Sequence, residues 1–213
     1  MTLRLGDPAP DFEAETTLGQ IRFHQWLGDS WGVLFSHPAD FTPVCTTELG
    51  LTAKLQDEFT ARNTKAIALS VDPLASHDRW IEDINSTQQT IVGFPIIADP
   101  DRRIAALYDM IHPNADSTHT VRSLFFIDPQ KNIRLTITYP ASTGRNFDEV
   151  LRVIDSLQLT EYNKVATPGN WRPGEEVVIL PSIQDEAQLS ELFPQGYRAA
   201  RPYLRFTSLP DGT

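Results

Sequence analysis

The chain has 213 residues, 40% of them hydrophobic and 22% charged, a globular balance and not a disordered or fibrous one, with length for one well-packed core and a small appendage. Lys and Arg number 18 against 28 Asp and Glu, a formal charge of −10, so no basic stripe is available to displace counterions from a nucleic-acid backbone. The longest apolar runs, such as Ile91–Ala98, are broken by Gly93 and Pro95, and Met1–Asp11 lacks the apolar stretch of a secretory leader. A cytoplasmic protein with neither a nucleic-acid nor a membrane partner is expected.

Phe12–Glu15 and Gln20–Phe23 alternate around Leu18-Gly19 and predict a hairpin. Trp31–Ser36 is almost entirely apolar and reads as a buried central strand, whereas His37–Pro43 carries two prolines and reads as a loop. Pro43 suits a first helical turn, and Leu51, Leu55 and Phe59 recur at four-residue spacing, which predicts one long helix closed by Arg62 and Asn63. Lys65–Val71 is a second buried strand, and Ser76 is placed to cap a helix through Trp80 and Ile84. Phe94–Ala98 predicts a short strand, Asp101 the start of a helix through Leu107, and Ser123–Ile127 a third buried strand. Ile133–Tyr139 is its hairpin partner across the turn Asp128–Asn132. Asn146 opens a helix over Phe147–Leu157, with Val150, Leu151, Val153 and Ile154 on the buried side.

Strands alternating with helices, then a hairpin and a helix, predict an α/β fold with a mixed central sheet ending near Thr160. Thr167-Pro-Gly169 and Arg172-Pro-Gly174 punctuate the chain beyond that point. A short strand (Val177–Leu180), a helix (Glu186–Phe193) and a strand (Tyr203–Phe206) make a small α+β arm. Its length is too small for a core of its own, so it is expected to pack on the main domain or on a second subunit.

There is one cysteine, Cys45, which rules out an intrachain disulfide and a cysteine-rich zinc site. It falls just after a buried strand and two residues into a helix, where free N–H groups and the helix dipole favour a thiolate. The same place also suits a cysteine that serves as a small hydrophobe. Thr42, three residues earlier, can bring its hydroxyl into the concavity of the sulfur or simply cap the helix. Pro38 can shield the sulfur from water or simply turn the loop. Gly28-Asp-Ser-Trp-Gly32 has the spacing of a hydrolase nucleophile elbow, but Ser30 precedes a strand instead of joining a strand to a helix. His24, His77, His112 and His119 show no ligand spacing with one another, so no metal is expected.

The run Phe35-Ser-His-Pro-Ala-Asp-Phe-Thr-Pro-Val-Cys-Thr-Thr-Glu-Leu-Gly50 resembles the active-site segment of the peroxiredoxins. Its histidine before the proline resembles their one-cysteine subfamily. Leu5–Phe12 is similar to the family's opening, and Tyr139–Glu149 and Val165–Pro168 are similar to that subfamily's later segments. The resemblance implies a thioredoxin-like fold over residues 1–160 and a C-terminal dimerisation domain over 161–213. It implies that Cys45 is the peroxidatic nucleophile, that Pro38 and Thr42 complete its pocket, and that Arg122 is the pocket guanidinium. Arg145 matches a second arginine, Glu48 a residue that orients the arginine, and His37 the histidine beside the sulfur, where a satisfied loop histidine is an equal reading. No cofactor is implied. The implied partners are hydrogen peroxide, alkyl hydroperoxides, an external thiol reductant (glutathione or a thioredoxin-type protein) and a second copy of the chain. With no second cysteine, an external thiol must regenerate Cys45. Some subfamily members have a phospholipase A2 activity attributed to Ser, His and Asp. Ser30 and His24 match the first two, but Gln130 stands at the third position and Asp128 lies two residues early. An acyl hydrolase and a redox-sensing or holdase dimer are the rival readings.

Overall fold

Runs of residues with no polar side to leave in water become the inner strands of a seven-stranded sheet. The structure, a computed structural model, describes residues 3–209, so the outermost residues of the expected domains lie outside it. The chain divides at Phe147/Asp148 into two units. The first contains β1 (Glu13–Thr16), β2 (Gly19–Arg22), α1 (Phe23–Leu27), β3 (Trp31–Ser36), α2 (Pro43–Lys54), α3 (Gln56–Ala61), β4 (Thr64–Ser70), α4 (Leu74–Gln88), β5 (Ile96–Ala98), α5 (Arg103–Leu107), β6 (Arg122–Ile127) and β7 (Ile133–Tyr139). The strand order is β2-β1-β5-β4-β3-β6-β7. β3, β4 and β5 run parallel, while β6 is antiparallel to β3 with Leu124 opposite Phe35. Every residue of β3 and of β6 is buried, as their composition requires.

One apolar cluster of this unit gathers Phe12, Phe23, Leu34, Ile67, Tyr108 and Phe125 among others. Phe12 and Phe23 stack at 4.8 Å, and the Tyr108 hydroxyl donates to the Pro10 carbonyl at 2.7 Å, so the buried phenol is satisfied. Phe23 leaves the strand in which the sequence placed it. With Leu27 one turn later it anchors α1, which the alternation of Gln20–Phe23 concealed.

The single long helix expected after Pro43 is two helices, divided at Leu55 (φ −93°, ψ 11°). Of the stripe read from Leu51, Leu55 and Phe59, only Phe59, on α3, is fully buried. Leu51 is exposed, and the face turned inward carries Cys45, Glu48, Leu49, Thr52 and Ala53. Two of those five are polar, so hydrophobic spacing could not find the face. Gly50 lies where α2 meets α4, and a Cβ there would sit 2.6 Å from Gln88 Cβ, closer than carbon atoms can pack. α4 starts at Leu74 behind Pro73, so Ser76 stands in its first turn and is not its cap, and the helix runs on to Gln88. At α5 the free amides of Ile104 and Ala105 are taken by Asp99 (3.0 and 2.7 Å), while Asp101 takes that of Arg103. β5 is two residues shorter than expected because Pro95 follows Phe94 and cannot donate to a ladder.

The second unit holds α6 (Phe147–Tyr162, from its second residue), β8 (Val165–Ala166), β9 (Val177–Ile179), α7 (Glu186–Leu192), β10 (Arg198–Arg201) and β11 (Leu204–Thr207). Its strands form an antiparallel sheet in the order β10-β11-β9-β8. Contrary to expectation it buries an apolar cluster of its own, with Val165, Trp171, Val177, Ile179, Ile183, Leu189 and Phe193, against which Leu159 of α6 packs. That helix supplies apolar surface that the arm alone lacks. β8 and β10 were not foreseen, one for its brevity and the other for its polar Arg198-Ala-Ala-Arg201 sequence.

Candidate active site

Because β6 is antiparallel to β3, the start of β6 lies beside the end of β3, where the chain turns toward α2. Two buried hydroxyls tie the strand ends together. Ser36 Oγ donates to the Val121 carbonyl (2.6 Å), and Thr120 Oγ to the His37 carbonyl (2.8 Å). Arg122, the first residue of β6, therefore meets Cys45, the third residue of α2, across 77 positions of sequence. Its Nη1 donates to Cys45 Sγ at 3.2 Å and to Glu48 Oε2 at 2.8 Å, and its Nε and Nη2 both donate to the Ala141 carbonyl (3.1 and 2.7 Å). Every donor edge of the guanidinium is thus aimed, and the sulfur receives a fixed positive charge.

Glu48 is one turn after Cys45 and 3% exposed. It also accepts from Arg145: Oε1 from the backbone N–H (2.8 Å) and Nε (3.0 Å), and Oε2 from Nη2 (2.6 Å). Arg145 Nη1 donates to the Ser36 carbonyl (2.9 Å), and the guanidinium lies 4.8 Å over the Phe35 ring. Burial pulls the Arg145 pKa below the ordinary arginine value, against the opposing pull of Glu48. One carboxylate between two guanidiniums leaves the group with a net positive charge next to the sulfur, a place prepared for an anion.

Thr42 is the residue before α2, yet its side chain makes no capping bond. Its Oγ donates to the Ala39 carbonyl at 2.8 Å, so the oxygen lone pairs are what it can offer a ligand. Pro38 is half-buried in the same loop. Phe41 bends that loop into the helix through a left-handed backbone (φ 53°), a conformation costly for a bulky residue and held by its surroundings. One such hold is the Asp40 N–H donated to Asp72 Oδ2 at 3.0 Å.

His37 is fully buried, but it is not hydrogen-bonded to the sulfur. Its Nε2 pairs with Asp40 Oδ1 (2.9 Å), and its Nδ1 has no partner among the described residues. Asp40 Oδ2 pairs with His77 Nδ1 (2.7 Å), whose Nε2 faces the Ile97 carbonyl (3.2 Å). Sequence reasoning passed over Asp40 and read His77 only as a histidine without ligand spacing. Asp40 was visible as an acid three residues after His37, but His77 arrives on α4 with no local signal. These three side chains could in kind hold a cation, though the facing nitrogen and oxygen atoms are already engaged with one another. The cluster instead pins the 37–43 loop to α4 and β5.

That pin makes stability depend on pH in one direction. Burial pushes His37 below the ordinary histidine value, against the pull of Asp40. Burial alone would raise the Asp40 carboxyl, but hydrogen bonds and charge from His37 and His77 outweigh it and hold the group below the ordinary carboxylate range. Both groups have folded values beneath their unfolded ones, so their contributions are complete above those unfolded values and fade on acidification. Calorimetric melting temperature should fall between about pH 7 and pH 5 as the unfolded chain takes up the His37 proton, and His37→Gln should flatten that fall.

Residues 5–136 match the AhpC/TSA family, and residues 156–193 match the C-terminal domain of 1-Cys peroxiredoxin. The chain belongs to the one-cysteine peroxiredoxins. A 1-Cys peroxiredoxin of Dictyostelium discoideum is 54% identical over 209 residues, covering 98% of this chain and 86% of that protein. The yeast mitochondrial 1-Cys peroxiredoxin superposes with a TM-score of 0.92 at 52% identity, over 98% of this chain and 100% of that one. A cysteine-to-serine mutant of peroxiredoxin 6 from Arenicola marina also gives 0.92, at 46% identity over 99% and 100%. The fold is thioredoxin-like, and as a peroxiredoxin this chain is a thiol peroxidase with a single cysteine.

The hydrolase constellation is not assembled in this peroxiredoxin. Ser30 Oγ donates to Asn63 Oδ1 (2.9 Å), and His24 Nε2 is engaged with the Ala9 carbonyl (2.8 Å), so no serine–histidine pair forms. The Asp128 carboxylate serves its own turn by accepting from the Asn132 N–H at 2.8 Å. No helix among the described residues is long and apolar enough to cross a membrane.

Proposed function

We propose that Cys45 is the peroxidatic nucleophile for hydrogen peroxide and alkyl hydroperoxides, and that the 3.2 Å contact from Arg122 is what makes it one. The thiolate attacks the terminal peroxide oxygen. An S–O bond forms as the O–O bond breaks, and the leaving oxygen departs as water or an alcohol once it takes a proton. Cys45 is left as a sulfenic acid. Arg122 stabilises the charge as it moves from sulfur to the leaving oxygen. Thr42, with its own proton committed to Ala39, accepts from the peroxide O–H and orients it. Pro38 shields the pocket, Glu48 and Arg145 position Arg122, and His37 supports the loop through Asp40.

Residues 1–160 carry the chemistry in this reading, and 161–213 form a homodimer in the cytoplasm. No cofactor takes part. The reductant is an external thiol, glutathione or a thioredoxin-type protein, in line with the yeast mitochondrial relative, whose thiol is resolved via glutathione/thioredoxin systems. The test is turnover with and without a thiol. Reduced protein alone, given a single equivalent of peroxide, should consume it and stop at the sulfenic acid, and added glutathione or thioredoxin should restore consumption of further equivalents. Sustained turnover without any thiol would overturn the scheme.

A further inference from the structure

The second unit contains a groove of about 520 Å³ walled by Tyr197, Pro202 and Tyr203, with Arg205 of β11 in its lining. Tyr203 is 70% exposed, an apolar face left in water. Arg205 is only 7% exposed, yet its partners are neutral: Nη2 donates to the carbonyls of Leu180 (3.1 Å) and Ile183 (2.7 Å), and the Tyr197 ring lies 5.8 Å away. Among the described residues no carboxylate comes within 4.0 Å of this guanidinium. Its Nε–H is buried and has no acceptor. The other two buried arginines, Arg122 and Arg145, both rest on Glu48. A buried cation without a counter-charge is costly, and an anion entering the groove would supply the negative charge that Arg205 lacks.

We propose that this groove is a binding site for a small monocarboxylic acid with an apolar body. Its carboxylate pairs with Arg205 and its body lies against Tyr197 and Tyr203. Glu186 in the same lining repels a second negative charge, which favours a monocarboxylate over a phosphate or a diacid. The site uses none of the residues assigned to the peroxide chemistry, and it lies within the 161–213 segment assigned to the homodimer.

Titration of the full chain with benzoate and with its neutral isostere benzamide, followed by calorimetry, tests the proposal. Benzoate should bind saturably and about tenfold or more tighter than benzamide, as a charge-assisted pair requires. Arg205→Gln should erase that preference, and Tyr203→Ala, at an exposed position, should weaken both ligands together. Equal binding of the two ligands by the unaltered protein, or no saturation, overturns the site whether or not Arg205→Gln folds. If sedimentation shows Arg205→Gln dissociating a dimer while benzoate holds no advantage, the missing anion comes from a second copy and the small-molecule site is wrong.

Discussion

Cys45→Ser should abolish peroxide consumption, lowering the rate by about four orders of magnitude or more, because the hydroxyl that replaces the sulfur is not ionised at neutral pH. The expectation rests on Cys45 being the chain's sole cysteine and the sulfur on which the Arg122 guanidinium acts. Stopped-flow measurement on reduced protein decides it. A variant that still consumes peroxide at the wild-type rate would place the chemistry elsewhere. The serine hydroxyl can still accept from Arg122 Nη1, so the pocket should persist and the loss should be chemical, with circular dichroism unchanged.

Glu48→Gln should cost about 3–5 kcal/mol of folding stability, because it strips the one negative charge from between two buried guanidiniums. That is a large part of a typical folding free energy of about 5–15 kcal/mol. Urea unfolding measures it, with a midpoint shift at constant slope as the signature. Replacing Glu48, Arg122 and Arg145 together by apolar residues of similar volume should cost less than Glu48→Gln alone, since no charge is then left unpaired. A Glu48→Gln protein of wild-type stability would mean that Glu48 does not neutralise the arginines.

What the sequence made legible tracked the apolar pattern. β3, β4 and β6 are buried on every side, or nearly so, and read as continuous apolar runs. The start of α2 was marked by Pro43. Its buried face was not legible, because Glu48 and Thr52 lie on it and a carboxylate turns inward only when its partners are known. Those partners are 74 and 97 positions away, so no local pattern could announce them. Cys45, Thr42 and Pro38 stood out by their spacing, whereas Arg122, Arg145 and Glu48 came from the family resemblance alone. The structure then gave them one shared geometry. Asp40 was within sight of His37, but its bond to His77 depends on the packing of α4; of the two readings of His37, beside the sulfur or satisfied within its loop, the hydrogen bond to Asp40 fits the second.

The proposed mechanism has Arg122 act directly on the sulfur through the 3.2 Å contact from Nη1. The sharpest measurement is the second-order rate constant for reduced Arg122→Met with hydrogen peroxide, taken beside wild type at neutral pH on protein shown to be folded. The geometry predicts a fall of about 100-fold or more, the usual loss when one preorganised donor is removed from a developing charge. A rate equal to wild type would contradict it, and the contact between Nη1 and Sγ would then be packing and nothing more.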